Sequence, residues 1–273
     1  MLATEKRNPK TMKLDSMTTG DMLKVIQEEN MNAVNAVGAA LPSIEKAVDA
    51  ISAAMHRGGR LIYIGAGTSG RTGVIDAAEC PPTFGVDPNC VVGILAGGND
   101  CMFRASENAE DKGENGVADL KAIDLNENDA VVGISAAGGA AYVVDAMAYA
   151  RSLGCVTVGF TSNKDTLLEK TAEYAIVTET GAEVITGSTR MKAGTAQKLV
   201  LNMLSTCAMV KMGYVYENLM INLKATNTKL IGRMKRIVSD VLEISEEQAE
   251  PLLEQAEWNI KKAIQLYKEG NIQ

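Results

Sequence analysis

Short apolar runs recur through the middle of the chain, and longer amphipathic stretches such as 141–152 lie between most of them. Each run is predicted to be a buried strand. The runs are residues 61–64, 91–95, 130–134, 156–160 and 174–177. This alternation predicts an α/β fold, a three-layer sandwich whose central parallel sheet is covered by helices on both faces. Ligands of such sheets bind beyond the carboxyl ends of the strands, so the loops that follow the strands are the first candidates for a site.

Helical patterns dominate both sides of this alternating region. The predicted helices cover about 18–30, 31–57, 189–212, 229–242, 246–255 and 258–268. Pro42 is expected to start a new segment inside the second of them. We therefore divide the chain into an N-terminal arm with helices (1–57), a central domain (58–225) and a C-terminal helical region (226–273).

Composition narrows the possible partners. The formal net charge is -7, which argues against nucleic acid, because a phosphate backbone requires a basic surface. No apolar run reaches the roughly 18 residues of a membrane span, so no membrane partner is expected. The first residues, Met1–Arg7, are polar and unlike a signal peptide. These features predict a cytoplasmic protein.

Metal and cofactor chemistry finds little support in the residue types present. The five cysteines include no C-x-x-C pair, and the single histidine, His56, is expected near a helix end. Because a zinc site needs several closely spaced ligands, we expect no metal and no cofactor. The thiols are expected to be reduced.

A glycine-rich loop, Gly65-Ala66-Gly67-Thr68-Ser69-Gly70-Arg71, follows the first predicted strand. Its spacing matches G-x-G-x-x-G, but the acidic residue expected about 20 positions later in a dinucleotide site is missing. Lys-Ser/Thr does not follow the last glycine, and Arg71 occupies the last glycine position of a nucleophile elbow. The N–H groups and the hydroxyls of Thr68 and Ser69 suit a sugar or a phosphate. Either hydroxyl could also cap the next helix.

Two acidic features follow this loop. Pro81 is expected to end the helix, which would put Glu79 at or near its carboxyl end. A carboxylate there opposes the helix dipole at a cost of about 0.3–1 kcal/mol, which favours a functional acid over a surface residue. The second feature is the cluster of Glu107, Glu110 and Asp111, which spacing alone predicts to be a solvated helix face.

Taken together, several stretches are similar to one family of sugar-phosphate enzymes. They are Thr4–Pro9, Ile62–Arg71, Glu79–Gly85, Ala96–Gly98 and Thr186–Lys198, which continues to Thr206. Along nearly its whole length the chain resembles the N-acetylmuramic acid 6-phosphate etherases. The resemblance implies a sugar-isomerase-type (SIS) domain, a homodimer, no metal, and a phosphorylated amino sugar as substrate.

The resemblance also implies a reaction. It is the cleavage of the D-lactyl ether of N-acetylmuramic acid 6-phosphate to N-acetylglucosamine 6-phosphate and D-lactate, by elimination and addition of water. Glu79 then acts as the acid that protonates lactate, and Glu110 acts as the base. Substrate binding is assigned to Gly67, Thr68, Ser69, Ser135, Gly138, Glu183, Ser188, Thr189 and Lys192.

The chain departs from the family pattern in the loop after the third strand. The family usually reads Ala-Ala-Ser-Gly-Arg-Thr-Pro-Tyr, whereas residues 135–142 here read Ser-Ala-Ala-Gly-Gly-Ala-Ala-Tyr. Ala137 and Ala140 therefore lack hydroxyls, and Gly139 replaces an arginine. The C-terminal region is also expected to be shorter than in the family. These departures leave two alternatives, a non-catalytic sugar-phosphate-binding regulator and a related enzyme for another amino sugar.

Overall fold

The centre of the fold is a five-stranded parallel sheet. The computed structural model describes residues 1–104, 106, 108–223, 225 and 227–270. The strands are β1 (Leu61–Gly65), β2 (Val91–Leu95), β3 (Ala130–Ile134), β4 (Val156–Thr161) and β5 (Tyr174–Val177). They lie side by side in the order β2-β1-β3-β4-β5. All five predicted strands are confirmed to within one residue, and the α/β prediction with them.

Both faces of this sheet are covered. Ile62, paired with Val92 and Val131 in the neighbouring strands, faces helix α4 (Ala141–Ser152) in one apolar cluster. Tyr63 points to the other face, where its hydroxyl donates a hydrogen bond to Asp76 of α2 (Gly67–Phe84), at 2.9 Å. The alternation of side chains along each strand thus produces the three layers.

Helix α1 (Thr19–His56) is one helix of 38 residues, with Thr18 as its N-cap. The prediction of two helices, about 18–30 and 31–57, is therefore wrong, as is the prediction that Pro42 starts a new segment. A proline inside a helix costs about 3 kcal/mol. Burial of one continuous apolar face offsets this cost, because Val37 and Ala40 before the proline are buried, as is Ile44 after it, while Pro42 itself is exposed.

Helix α2 also continues through prolines, Pro81 and Pro82. The prediction that Glu79 lies at the helix end is wrong, since the helix extends to Phe84. A proline disfavours the helical conformation of the preceding residue without forbidding it. Gly85, with a φ of 67°, supplies the left-handed residue that ends the helix, and its N–H donates to the carbonyl of Pro81 at 2.9 Å.

The remaining helices are α3 (Gly113–Ala122), α5 (Leu167–Thr171), α6 (Lys192–Lys211), α7 (Thr228–Leu242), α8 (Glu246–Gln255) and α9 (Ile260–Lys268). The four helices from α6 onward agree with the predicted ranges to within three residues, whereas no bounds were predicted for α3, α5 or a short hairpin. The hairpin, β6 (Val215–Tyr216) and β7 (Leu219–Met220), was not predicted because two-residue strands are too short to show a period. Within the described ranges, no helix is long and apolar enough to cross a membrane.

The chain forms two compact units. The first contains Met1–Ala78 and Asn89–Ala208, and the second contains Glu79–Pro88 and Met209–Gln273. The first unit holds the sheet. The second has a core of its own, in which Val238 of α7, Leu253 of α8 and Ile260 of α9 are buried together. The predicted boundaries at residues 57 and 225 stay predictions.

Candidate functional site

A cavity of about 270 Å³ lies in the first unit, at the carboxyl ends of β1 and β3. This is the position that a parallel sheet favours for a ligand. The cavity is lined by Glu5, Ala66, Gly67, Thr68, Ser69, Glu110, Ile134, Ser135, Ala136, Ala137, Ala140, Gly187 and Thr189. Six of the predicted site residues are thereby brought together: Gly67, Thr68, Ser69, Glu110, Ser135 and Thr189.

The glycine loop forms one wall. It turns tightly, because a Cβ atom on Gly70 would lie 2.3 Å from the carbonyl oxygen of Gly65. Helix α2 begins at Gly67, so Thr68 and Ser69 lie in its first turn, where the N–H groups have no partner within the helix. This wall can therefore bind an anion through backbone N–H groups and hydroxyls.

A hydrogen bond from helix α6 orients the hydroxyl of Ser69. Its Oγ accepts a hydrogen bond of 2.9 Å from Nε2 of Gln197 in α6, and both residues are buried. With one lone pair used by Gln197, the hydroxyl hydrogen of Ser69 is available to donate into the cavity. The sequence pattern marked Gln197 only as part of the Thr186–Lys198 stretch, and it did not indicate the pairing with Ser69, which lies 128 positions away.

The loop after β3 forms the opposite wall. Ser135 Oγ accepts a hydrogen bond of 3.1 Å from the N–H of Gly138. Gly138 has a φ of 70°, and a Cβ atom there would lie 2.5 Å from Thr166, so only glycine fits. Gly138 shapes the loop without lining the cavity. The turn is thus built without the hydroxyls that Ala137 and Ala140 lack.

Glu110 reaches the cavity from a turn that precedes α3. The helix-face prediction is wrong for Glu110 and Asp111, because α3 begins only at Gly113, but both are exposed as expected. The backbone carbonyl of Glu110 accepts a hydrogen bond of 3.0 Å from the N–H of Tyr142, which ties the turn to α4. Glu107 lies outside the described residues.

Three other predicted binding residues are placed behind or beside the cavity. The buried carboxylate of Glu183 accepts hydrogen bonds from the N–H groups of Lys192 and Ala193, at 3.1 and 3.0 Å, and so satisfies the start of α6. Lys192 is 1% exposed, and its ammonium pairs with Glu29 of α1. Ser188 is half-buried and does not line the cavity.

Glu29 is the centre of a buried polar network. Burial alone would raise the pKa of Glu29, but hydrogen bonds from Lys192, Lys10 and Asn8 hold that pKa below its usual value. The network joins the N-terminal arm (residues 3–16), α1 and the start of α6. Helix α6 begins three residues after Thr189, which lines the cavity. The charge on Glu29 therefore supports the frame of the site.

Glu5 and Glu79 differ in their relation to the cavity. Glu5 lines the cavity, although the sequence pattern marked it only as part of the Thr4–Pro9 stretch. Glu79 belongs to the second unit, where it is an exposed residue of α2. Among the described residues, no group of three or more His, Cys, Asp or Glu side chains could hold a metal ion.

Comparisons with known proteins match SIS domain models, and full-length relatives share one name. A model of the glucokinase regulatory protein N-terminal SIS domain matches residues 43–151, and a SIS domain model matches residues 106–207. A protein of Cronobacter sakazakii named N-acetylmuramic acid 6-phosphate etherase is 51% identical over 98% of this chain and 91% of its own. One of the same name from Salmonella agona is 50% identical over 96% of this chain and 89% of its own.

A solved structure supports the fold. A phosphoheptose isomerase from Francisella tularensis superposes with a TM-score of 0.53, covering 70% of this chain and 98% of that one. Its sequence identity is 19%, so the likeness concerns the fold alone.

The network around Glu29 predicts sensitivity to acid. Because the folded-state pKa of Glu29 lies below the unfolded value of 4.5, its contribution to stability is present above that value and is lost as pH falls through the folded-state pKa. Urea unfolding should therefore show stability falling as the pH drops below 4.5.

Glu29→Gln should lower the free energy of unfolding at pH 7 by about 3 kcal/mol, because it leaves Lys192 buried without a counter-charge. The variant should also flatten the acid dependence. Glu28→Gln, a change at an exposed neighbour, is the control and should alter neither property. An acid dependence in Glu29→Gln as steep as in the parent would contradict this account.

Proposed function

Because the chain belongs to the N-acetylmuramic acid 6-phosphate etherase family, we propose that it is a carbon–oxygen lyase. It cleaves the D-lactyl ether of N-acetylmuramic acid 6-phosphate to N-acetylglucosamine 6-phosphate and D-lactate. The observation that carries this proposal is identity of 51% to a relative of that name over 98% of the chain. A phosphosugar is therefore the substrate class.

The chemistry requires one base and one acid. In the open-chain sugar the proton on C2 lies next to the C1 aldehyde, which makes it acidic enough for a carboxylate to remove. The bond between C3 and the ether oxygen then breaks, and lactate leaves with a proton from the acid. In the return step, the deprotonated acid takes a proton from water as the hydroxyl adds to C3, and the protonated base returns a proton to C2, so the net change is hydrolysis of the ether.

We assign the base to Glu110 and the acid to Glu79. The support for Glu110 is its place in the lining of the cavity, beside hydroxyls and backbone N–H groups. The role of Glu79 rests on the family resemblance of the Glu79–Gly85 stretch.

The phosphate is proposed to bind between the two loops. Its partners are the N–H groups that begin α2 at Gly67 and Thr68, and the hydroxyls of Ser69, Ser135 and Thr189. We propose that Gly138, Glu183, Ser188 and Lys192 act by holding these loops in place. The alternative of a non-catalytic regulator is not favoured, because a carboxylate suited to proton transfer, Glu110, lies in the cavity beside the phosphate partners.

A homodimer in a reducing compartment is also proposed. The apolar length of α6 does not by itself require a partner, because Ala196, Val200 and Leu204 are buried within their own chain. Helix α1 supplies better support, since it exposes a row of large apolar side chains along one side. They are Leu23, Met31, Val34 and Leu41. No disulfide joins any of the five cysteines, all of which the structure describes, and this fits a reducing compartment such as the cytoplasm.

The first test concerns the catalytic carboxylates. Glu79→Gln should reduce lactate release from N-acetylmuramic acid 6-phosphate by at least 10²-fold, because the departing alkoxide loses its proton donor. Glu110→Gln should lower the rate similarly and also stop exchange of the C2 proton with solvent, read by NMR in deuterated water. Asp111→Asn, next to Glu110 but outside the cavity lining, is the control. Near-native turnover in both glutamine variants would refute the assignment.

The second test concerns the altered loop, where Ala137 and Ala140 line the cavity. Each hydroxyl added by Ala137→Ser and Ala140→Thr can donate to the phosphate, and a hydrogen bond to a charged group contributes about 1.5–3 kcal/mol. Because displaced water offsets part of this gain, we expect the double variant to bind N-acetylglucosamine 6-phosphate roughly ten-fold tighter or more by calorimetry. Binding of unphosphorylated N-acetylglucosamine should not change. Equal tightening for both sugars would place the phosphate elsewhere.

The third test concerns the dimer. Light scattering at micromolar concentration should give twice the chain mass of 29.0 kDa. Val34→Glu would put a charge into the apolar row and should shift the equilibrium to monomer. Asn35→Glu inserts the same charge at an exposed neighbour outside the row and should leave the dimer intact. A parent protein that scatters as a monomer would end the dimer proposal.

A further inference from the structure

The N-terminal arm, residues 3–16, is anchored to the first unit by buried polar contacts. Thr4 is fully buried, and its N–H and hydroxyl face the side-chain amide of Asn163: the N–H donates to Oδ1 at 3.3 Å, and Oγ1 accepts from Nδ2 at 3.0 Å. The same Nδ2 also donates to the carbonyl of Ala136 at 2.9 Å. One amide therefore joins the arm to the loop that forms a wall of the cavity.

A second anchor follows four residues later. Asn8 is buried, and its Nδ2 donates to Glu29 at 2.9 Å and to the carbonyl of Ala182 at 3.2 Å. Thr11 donates its hydroxyl to the carbonyl of Val184 at 2.8 Å. Groups buried in this way cost free energy unless they stay paired, so the arm is held on both sides of Glu5.

Between the anchors, Glu5 is exposed and faces the cavity. Its carboxylate lies beside Gly187, where a Cβ atom would stand 3.2 Å from Glu5 Oε2. Gly187 also has a φ of 75°, a conformation that glycine adopts without strain. The absence of a side chain at Gly187 thus leaves room for the carboxylate of Glu5. Glu5 lines the same cavity as Glu110 and Ser135.

We propose that the N-terminal arm is part of the binding site, with Glu5 as a substrate-binding and specificity-determining residue. A carboxylate only accepts hydrogen bonds and repels a phosphate dianion. Glu5 therefore binds the donors of the sugar, its hydroxyl groups or the acetamido N–H, while the two loops bind the phosphate. This inference rests on the proposed function for the identity of the sugar.

Binding of the sugar by Glu5 and of the phosphate by the two loops has a measurable consequence. Two carboxylates in one cavity, Glu5 and Glu110, oppose the binding of a bare phosphate ion. A phosphorylated amino sugar compensates for that repulsion because it brings hydrogen-bond donors to the carboxylates. The arm thus selects a phosphosugar over inorganic phosphate, and removal of the charge on Glu5 should act on the two ligands in different ways.

The experiment measures both ligands on the full chain. Calorimetry with N-acetylglucosamine 6-phosphate and, separately, with inorganic phosphate is run on the parent, Glu5→Gln, Thr4→Val and Lys6→Ala. We expect Glu5→Gln to weaken phosphosugar binding roughly ten-fold, because a charged acceptor becomes a neutral one. Binding of inorganic phosphate should stay equal or tighten. Thr4→Val, which loses the hydroxyl contact with Asn163 but keeps the N–H contact, should weaken phosphosugar binding alone, and Lys6→Ala should change nothing.

Other outcomes overturn the inference. Equal weakening of both ligands in Glu5→Gln would mean that the residue only supports the fold, and no change for either would mean that it does not contact the sugar. A parent that does not bind the phosphosugar would also overturn it. Lactate release by the parent is assayed in parallel: its absence, together with the expected binding pattern, would refute the etherase proposal but leave the role of Glu5 intact.

Discussion

The cavity depends on one constraint, that all five strands of the sheet run in the same direction. Parallel pairing puts every strand's carboxyl end at the same edge, so the loops after β1 and β3 face each other although 70 residues separate Gly65 from Ser135. Burial of both faces keeps the strands in register, because a shift by one residue would turn Tyr63 and its neighbours to the wrong layer.

Paired polar groups, rather than apolar packing, position the walls of the cavity. Gln197 orients Ser69, Asn163 holds the carbonyl of Ala136, and Glu183 satisfies the start of α6. Each of these groups is buried, so the removal of its partner would lower the stability of the fold. An enzyme that binds the phosphate and the hydroxyls of a sugar at different places benefits from such fixed donors and acceptors, since they do not reorganise when the ligand binds.

The loop after β3 shows how a departure from a family pattern can be accommodated. Gly138 and Ser135 still form the turn, because its shape depends on a left-handed residue and on a hydrogen bond from the Gly138 N–H to the Ser135 hydroxyl. The hydroxyls absent at positions 137 and 140 are not needed for that turn. The shape of this loop therefore depends on Ser135 and Gly138 and not on a hydroxyl at position 137 or 140.

The sequence alone determined the five strands, most helices and the glycine loop, because apolar residues at buried positions recur in the pattern of a strand or a helix. Resemblance added Glu110, which spacing had assigned to a helix face. Prolines misled the prediction at Pro42 and Pro81, since packing outweighed a local preference that acts on single residues. Only the tertiary structure decided that Lys192 turns inward to Glu29, that Gln197 reaches Ser69, and that Glu5 enters the cavity. Each of these contacts joins parts of the chain that are distant in sequence, and it depends on tertiary packing that no local pattern of residues indicates.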